Sequence, residues 1–467
     1  MNESTLQVSL PQELPITAES DVIVVGGGPG GIGAAIAAAR EGAGVLLIEH
    51  YGFLGGMATA GEVNPFMPNH VNGESLDQGI FEEWLDRMRV YNGVRGTSRV
   101  FDPNAARLAA EDLCIEAGVD LLYHHRAVHV ETDDRHIQGV VLHSKGGLTV
   151  ARAKQYVDST GDGDLAALAG CAFEYGSEDS GHAQPMTLCF KLKLDPADLP
   201  EGGGEKDLYS TLRSDMGRVQ EVYKKAQADG RIECLRENVL IFRGVDARVV
   251  HFNTTRVIHR AGIKGAELSA AEIEGRRQLR QIVEVLRAEV PIFRNAKLHS
   301  IAPQIGVRES RRILGRAYVT LDDYRAGRRF ADGIERVNYP VDIHNPDGTG
   351  TTFLDMPKNI WYEIPFGCLV PRDIDNLAIG SRCISVDHGV HSSVRVMPPV
   401  CSLGQAAGTA VAMAVAGGVD VAAVDGLEVR RRLIRQGRNL PPFDPENPLT
   451  NPGAQSDRIG KAGSLSA

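Results

Sequence analysis

The sequence predicts an α/β fold organised around parallel strand-helix-strand units. Three observations carry this expectation. The short apolar run 21–25 stops abruptly at glycines, an alanine-rich stretch over 32–40 has helical spacing, and a second apolar run over 45–48 ends at the acidic Glu49. Apolar runs of four or five residues bounded by glycine read as buried strands, and the alanines between them as a helix, so the segment forms one βαβ unit.

The rest of the chain follows in order. Helical spacing returns over 104–117, strand-like runs follow at 121–123 and 127–130, and an apolar segment ending at Val157 closes the first block against a Gly/Asp turn. From about Cys171 to Pro365 strand-like pieces such as 186–194 alternate with longer charged helices. One of these opens with Ser269 and Glu272 spaced as a capping box, and Leu279, Ile282, Val283, Leu286 and Val290 then form a single apolar stripe, the signature of a packed scaffold helix. After Pro365 short strands return at 369–370 and 377–379, and a small-residue helix is expected over 402–416, preceded by Pro398 and Pro399. From Asn439 onward Pro, Asn, Gly and Ser dominate, so an extended tail is expected.

Length and charge narrow the class. At 467 residues one core stops growing, so two interleaved domains are expected. The formal charge of -10 offers no general attraction to nucleic acid or an anionic bilayer. The seven cysteines are odd in number and contain no CxxC pair, which disfavours a disulfide framework and points to a reducing, cytoplasmic setting. The first twenty residues lack a basic region followed by an apolar one, and the run 406–416 is shorter than the roughly 20 residues that cross a bilayer. No metal is expected, because no His, Cys, Asp or Glu set has ligand spacing.

Gly26, Gly28 and Gly31 make GxGxxG, with Ala35 four positions later where helix and strand approach closely. The first glycine permits the turn, the second lets backbone approach a pyrophosphate, and the helix that Pro29 opens offers amide donors to it. Glu49 ends the next strand, where an acid accepts hydrogen bonds from a ribose hydroxyl. A dinucleotide site follows, without a choice between NAD and FAD.

Five further stretches bear on that choice. Residues 21–61 together with Gly55-Gly56-Met57-Ala58-Thr59, the segment YVDSTGDGD over 156–164, IGVRESRRILG over 305–315, YPVDIH over 339–344 and NLAIGSRCISVDHGVHSSVRVMPPVCSLGQAAGT over 376–409 resemble FAD-dependent oxidoreductases distantly related to the fumarate reductase and succinate dehydrogenase flavoprotein subunits. The resemblance implies a Rossmann-like FAD-binding domain of the glutathione-reductase type over 20–170 and 365–420, split by an inserted α+β substrate domain over 171–364. A C-terminal helix and extended tail over 421–467 would follow. It implies cofactor contacts from Gly55, Gly56, Met57, Val128, Thr160, Gly161 and Asp162, and from Gly404 and Gln405 at the start of the late helix. Ser381 and Ser392 stand where glycine is common, so strain is expected if either needs a positive φ. No histidine lies between Tyr51 and Pro68, so FAD is expected to be held non-covalently, with His70 just beyond.

Hydride transfer needs a clamped substrate and a nearby acid or base. His388, His391 and Arg395 precede the late helix and are candidates by position. Arg308, Arg311 and Arg312 surround Glu309; on a helix Arg308 and Arg311 would share a face, and an arginine fork matches a substrate carboxylate. Asp342 with His344, and Asn253 with Arg256, are further pairs. The expected activity is two-electron oxidation or reduction of a small, anionic organic substrate. The alternatives are oxidation of a C–OH or C–N bond in a neutral substrate, or a non-catalytic FAD-binding component of an assembly. A second dinucleotide fingerprint is missing, so the expected electron acceptor is oxygen, a quinone or a redox protein, with a homo-oligomer left open.

Overall fold

The computed structural model describes residues 13–199, 204 and 208–443. The leader and the tail beyond 443 lie outside the described residues. Strand β1 (Ile16–Val25) runs into the glycine turn, helix α1 (Pro29–Arg40) leaves it, and β2 (Val45–Ile48) returns parallel to β1. Parallel pairing extends from β2 to Asp120–Leu122 and from β1 to the long strand Gly147–Asp158, whose last residues pair in parallel with Leu377–Ile379. The antiparallel strands Arg126–Asp133 and His136–Ser144 join the first half of that long strand. Parallel strands this apolar need cover on both faces, and all four residues of β2 are buried. The carboxyl ends of the parallel strands face one cleft, where open α/β sheets bind ligands.

Helix Met397–Gly417 packs across α1 at backbone contact. A Cβ on Gly404 would stand 1.9 Å from the Gly30 carbonyl oxygen, and one on Gly408 2.0 Å from that of Ala34. This explains the small residues of both helices: only glycine and alanine let the axes approach so closely. The late helix is long and apolar enough to cross a membrane, yet 78% of its apolar window is buried inside the protein. It also starts five residues before the expected Ser402, with Pro398 and Pro399 inside its first turn, where proline is pre-shaped for a helix and lacks no needed donor.

Two large buried apolar clusters dominate the described residues, beside a small one of Val71, Leu76 and Trp361. The first gathers the parallel sheet and its helices; the second, over 186–307, holds the antiparallel strands Phe190–Lys193, Ile241–Arg243, Val249–Phe252 and Lys297–Ile301 and the helix Gly265–Glu289. Residues from Ile313 to Ile364, expected in the insertion, pack into the first cluster instead. The helix Gly265–Glu289 buries Leu279, Ile282, Val283 and Leu286 as its stripe requires, but begins four residues before Ser269. Glu272 is drawn away from any cap because its carboxylate accepts the Ile305 amide at 2.6 Å.

Candidate functional site

A cavity of about 620 Å³ opens at the carboxyl ends of β1, β2 and the long strand. Its first set of lining residues includes Gly26, Gly28 and Pro29 from the glycine turn, Glu49 from the end of β2, and Gly56 and Met57 from the following loop. Thr160, Gly161 and Asp162 line it from the turn after the long strand, and His125, Arg126 and Ala127 from the start of strand Arg126–Asp133. Gly26 takes φ +99°, and a Cβ there would lie 2.5 Å from the Ser159 carbonyl oxygen, so only glycine makes this turn. Gly28 differs: a Cβ on it would meet protein only at 3.8 Å, so the space beside it belongs to the cavity. It caps α1 with no side-chain hydrogen bond and no acid in the first turn, which leaves the helix amides and their positive potential for a phosphate.

Glu49 is held ready. One carboxylate oxygen accepts the Gly27 amide at 2.7 Å, and the other the Tyr51 amide at 2.9 Å with the His50 ring nitrogen 2.8 Å away. The remaining lone pairs are free for hydroxyl donors. Behind the cavity Asp158 organises the next turn, accepting from the Thr160 amide and hydroxyl and from the Ala166 amide; burial pushes its carboxyl up to about 6. Asp162 accepts from Ser310 at 2.5 Å and Arg382 at 2.6 Å, which ties that turn to the late segment. A glycine cradle open to a diphosphate and an acid poised for a ribose fit a dinucleotide cofactor.

Polar and charged side chains from three distant segments form the second set: Arg308, Tyr339, Asp342, His344 and Arg395, with Asn253 and Thr187 beside them. Arg308 donates to the Pro185 carbonyl at 2.7 Å and the Thr187 hydroxyl at 2.6 Å, and more distantly to Asn253. Burial, then the charges of Arg395 and Arg236, push its guanidinium down to about 9. Arg395 reaches Gln184, the Asp342 carbonyl and, at 4.0 Å, an Asp342 carboxylate oxygen. The other Asp342 oxygen lies 3.6 Å from His344. Despite its burial, His344 and the two arginines hold Asp342 well below the usual carboxylate range. Burial and the Arg308 charge push His344 down to about 3, so its imidazole is neutral.

Several expected residues stand elsewhere. Gly31 faces the turn, where a Cβ would stand 1.8 Å from the Gly26 oxygen, and Gly55 docks its amide on Gly27 at 2.7 Å. Gly404 and Gln405 do not reach the cavity: the early helix start puts them in its second turn, against α1 and against Ile80, while Val396, Met397 and Val400 form the end that does. Val128 is 41% exposed and outside the cavity, which Arg126 and Ala127 before it line. His388 serves a buried ion network, 2.8 Å from Glu309, which also holds Arg312 at 2.6 Å. His391 is fully buried and kept neutral by burial and by Arg312, and neither histidine lines the cavity.

The expected helix around Arg308 is absent too. Arg311–Ile313 is a strand paired with Phe173–Tyr175, so Arg311 turns to Asp164 and Arg312 to Glu309. Ser381 and Ser392 both keep negative φ, and Ser392 accepts the Asp342 amide at 3.0 Å, so serine brings no strain. Contrary to the sequence expectation, one candidate metal-ligand group exists among the described residues: His182, His259 and Asp347, gathered from segments too far apart for spacing to reveal. Arg382 and Tyr339 also line the cavity, and both had a signal in the sequence, since Arg382 lies in the 376–409 stretch and Tyr339 opens YPVDIH.

Some solved structures resemble the chain at low identity. A geranylgeranyl bacteriochlorophyll reductase-like protein from Thermoplasma acidophilum is 12% identical with a TM-score of 0.44, over 90% of this chain and 84% of that one. The flavin-dependent brominase Bmp2 is 14% identical with a TM-score of 0.42, over 89% and 83%. The anhydrotetracycline hydroxylase OxyS from Streptomyces rimosus is 13% identical with a TM-score of 0.41, over 90% and 68%. Likeness at this level bears on neither substrate nor reaction. No curated protein matches the chain. A family model described as FAD dependent oxidoreductase matches residues 21–433, which takes in both sets of cavity residues. The chain therefore belongs to the FAD-dependent oxidoreductase family, a flavoprotein enzyme whose cofactor is FAD.

Proposed function

We propose that this enzyme oxidises or reduces a small organic anion, with Arg308 and Arg395 receiving its carboxylate. One observation carries the reading. Arg308 lines the cavity, yet its hydrogen bonds go to two neutral oxygens and an amide, and among the described residues it forms no ion pair. A guanidinium whose pKa is pushed down by burial and neighbouring arginines gains most from an anion, and a charged hydrogen bond there is worth roughly 1.5–3 kcal/mol.

FAD, when bound, supplies the two-electron hydride chemistry. The chain's residues bind, orient and handle the proton. Arg308 and Arg395 fix the substrate, whose carboxylate offsets the Arg308 charge that helps burial lower His344; that ring, oriented by Asp342, is then able to accept or return a proton. Burial, with Asp342 nearby, raises the Tyr339 phenol above its ordinary value, so it stays protonated and can donate a hydrogen bond to the substrate.

The Asp342–His344 pair also favours a second reading, oxidation of a C–OH bond, for which a neutral imidazole beside a carboxylate is a fitting base. The two large buried clusters support 186–307 as a substrate-facing insertion in a domain of the glutathione-reductase type. Non-covalent FAD, and re-oxidation by oxygen, a quinone or a redox protein, complete the proposal.

Anaerobic mixing with carboxylic acids, alcohols and amines tests it. Bleaching of the flavin by carboxylates, lost in Arg308→Gln, is expected; bleaching by neutral alcohols alone would favour the second reading. Acid denaturation should leave the flavin in the supernatant.

A further inference from the structure

Away from the cofactor cavity, three side chains from three distant stretches meet at the surface. His182 lies in the loop after strand Phe173–Tyr175, His259 in the loop before helix Gly265–Glu289, and Asp347 at the tip joining Val341–His344 to Thr351–Leu354. One ligand atom from each lies within 4.8 Å of the others. His182 Nδ1 stands 2.5 Å and His259 Nε2 3.4 Å from the same Asp347 oxygen, and the two rings lie 4.4 Å apart at their centroids. His259 adopts φ +55°, a conformation uncommon outside glycine, which turns its ring toward the other two.

Two imidazoles and a carboxylate are the donor set of borderline divalent ions, zinc above all. A tetrahedral ion about 2.1 Å from each donor separates its ligands by roughly 3.4 Å; the His259–Asp347 spacing already matches, and the His182–Asp347 contact must open by about 0.9 Å. All three residues are exposed, which leaves an open route for the ion and outer positions for water.

The cluster sits where three cavity walls are anchored. Asp347 follows His344 by three residues in one hairpin, and Gly262 and Ile263, just beyond His259, line the cavity. Gln184, two residues after His182, accepts from Arg395 and from the His344 amide. Arg256 already pins the hairpin through the Asn345 and Gly350 carbonyls. An ion at the tip would add a second tie.

We propose that His182, His259 and Asp347 bind one zinc-type divalent ion that staples the hairpin tip to the two loops beside it. The site stands apart from the substrate reading. Calorimetric titration of the FAD-loaded protein with zinc chloride tests it. One saturable Zn²⁺ per chain is expected, weakened at least about tenfold in His182→Ala, His259→Ala and Asp347→Asn, with the flavin spectrum unchanged as a check that each variant is folded. Absence of saturable binding overturns the proposal, as does unchanged affinity in the His182→Ala/His259→Ala double variant, which would place the ion elsewhere.

Discussion

Around Gly28 the cavity wall is backbone: glycines, helix amides and a carboxylate fixed by two amides of its own neighbourhood. Around Arg308 it is side chains: two arginines, an aspartate, a histidine and a tyrosine from segments up to about ninety residues apart in the chain. The first wall is fixed by what the local chain cannot do otherwise, since Gly26 must take a positive φ. The second depends on packing, because each long side chain finds its place only through partners such as Thr187, Asn253 and Gln184. Backbone recognition therefore suits a constant cofactor, and side-chain recognition a variable substrate.

Breaking the first wall should have the largest effect. Gly28→Val adds methyl groups where protein leaves room and the cofactor does not, so the protein folds but binds FAD at least about a hundredfold more weakly, roughly 3 kcal/mol. Flavin content after purification and calorimetric titration of the apoprotein with FAD check this. Breaking the second wall should spare the flavin. Arg308→Gln keeps its flavin content and loses about 10- to 100-fold in kcat/KM for a carboxylate substrate, and Arg308→Lys fails to recover it because the fork is gone.

A third test concerns strand Val249–Phe252, which leads into Asn253 beside the second wall. His251, just before Asn253, is buried with neither ring nitrogen partnered, and burial beside Lys191 pushes it down to about 3 from an ordinary 6.5. The unfolded chain then binds a proton that the folded chain refuses, so His251 costs stability as pH falls below about 6.5 and until it reaches its folded value. The stability difference between the wild type and His251→Leu should shift by about 2 kcal/mol against the wild type from pH 7 to pH 5, read by denaturant unfolding. The wild-type profile is flatter than this, because Asp77 and Asp158, pushed up to about 6 by burial, act in the opposite sense. The smallest effect belongs to Val128: exposed and outside the cavity, Val128→Thr should change neither FAD affinity nor stability by more than about 0.5 kcal/mol.

The sequence by itself determined the βαβ unit, its glycine turn and the place of Glu49. These lie within some thirty residues, and their conformations are demanded by residue type: glycine where a Cβ would strike Ser159, an apolar run where both sheet faces are covered. It also determined that the late helix is built of small residues, but not where it begins, since Pro398 and Pro399 read equally well before a helix or inside its first turn. That shift of five residues moved Gly404 and Gln405 from cofactor to packing. Only the tertiary structure decided that Arg308 lines the cavity while Arg311 and Arg312 turn to acids, that His388 serves Glu309, and that His182 and His259 meet Asp347. The physical reason is range: a dihedral angle or an apolar face is set by neighbours in sequence, whereas the convergence of charged side chains depends on how whole elements pack, which no local pattern records.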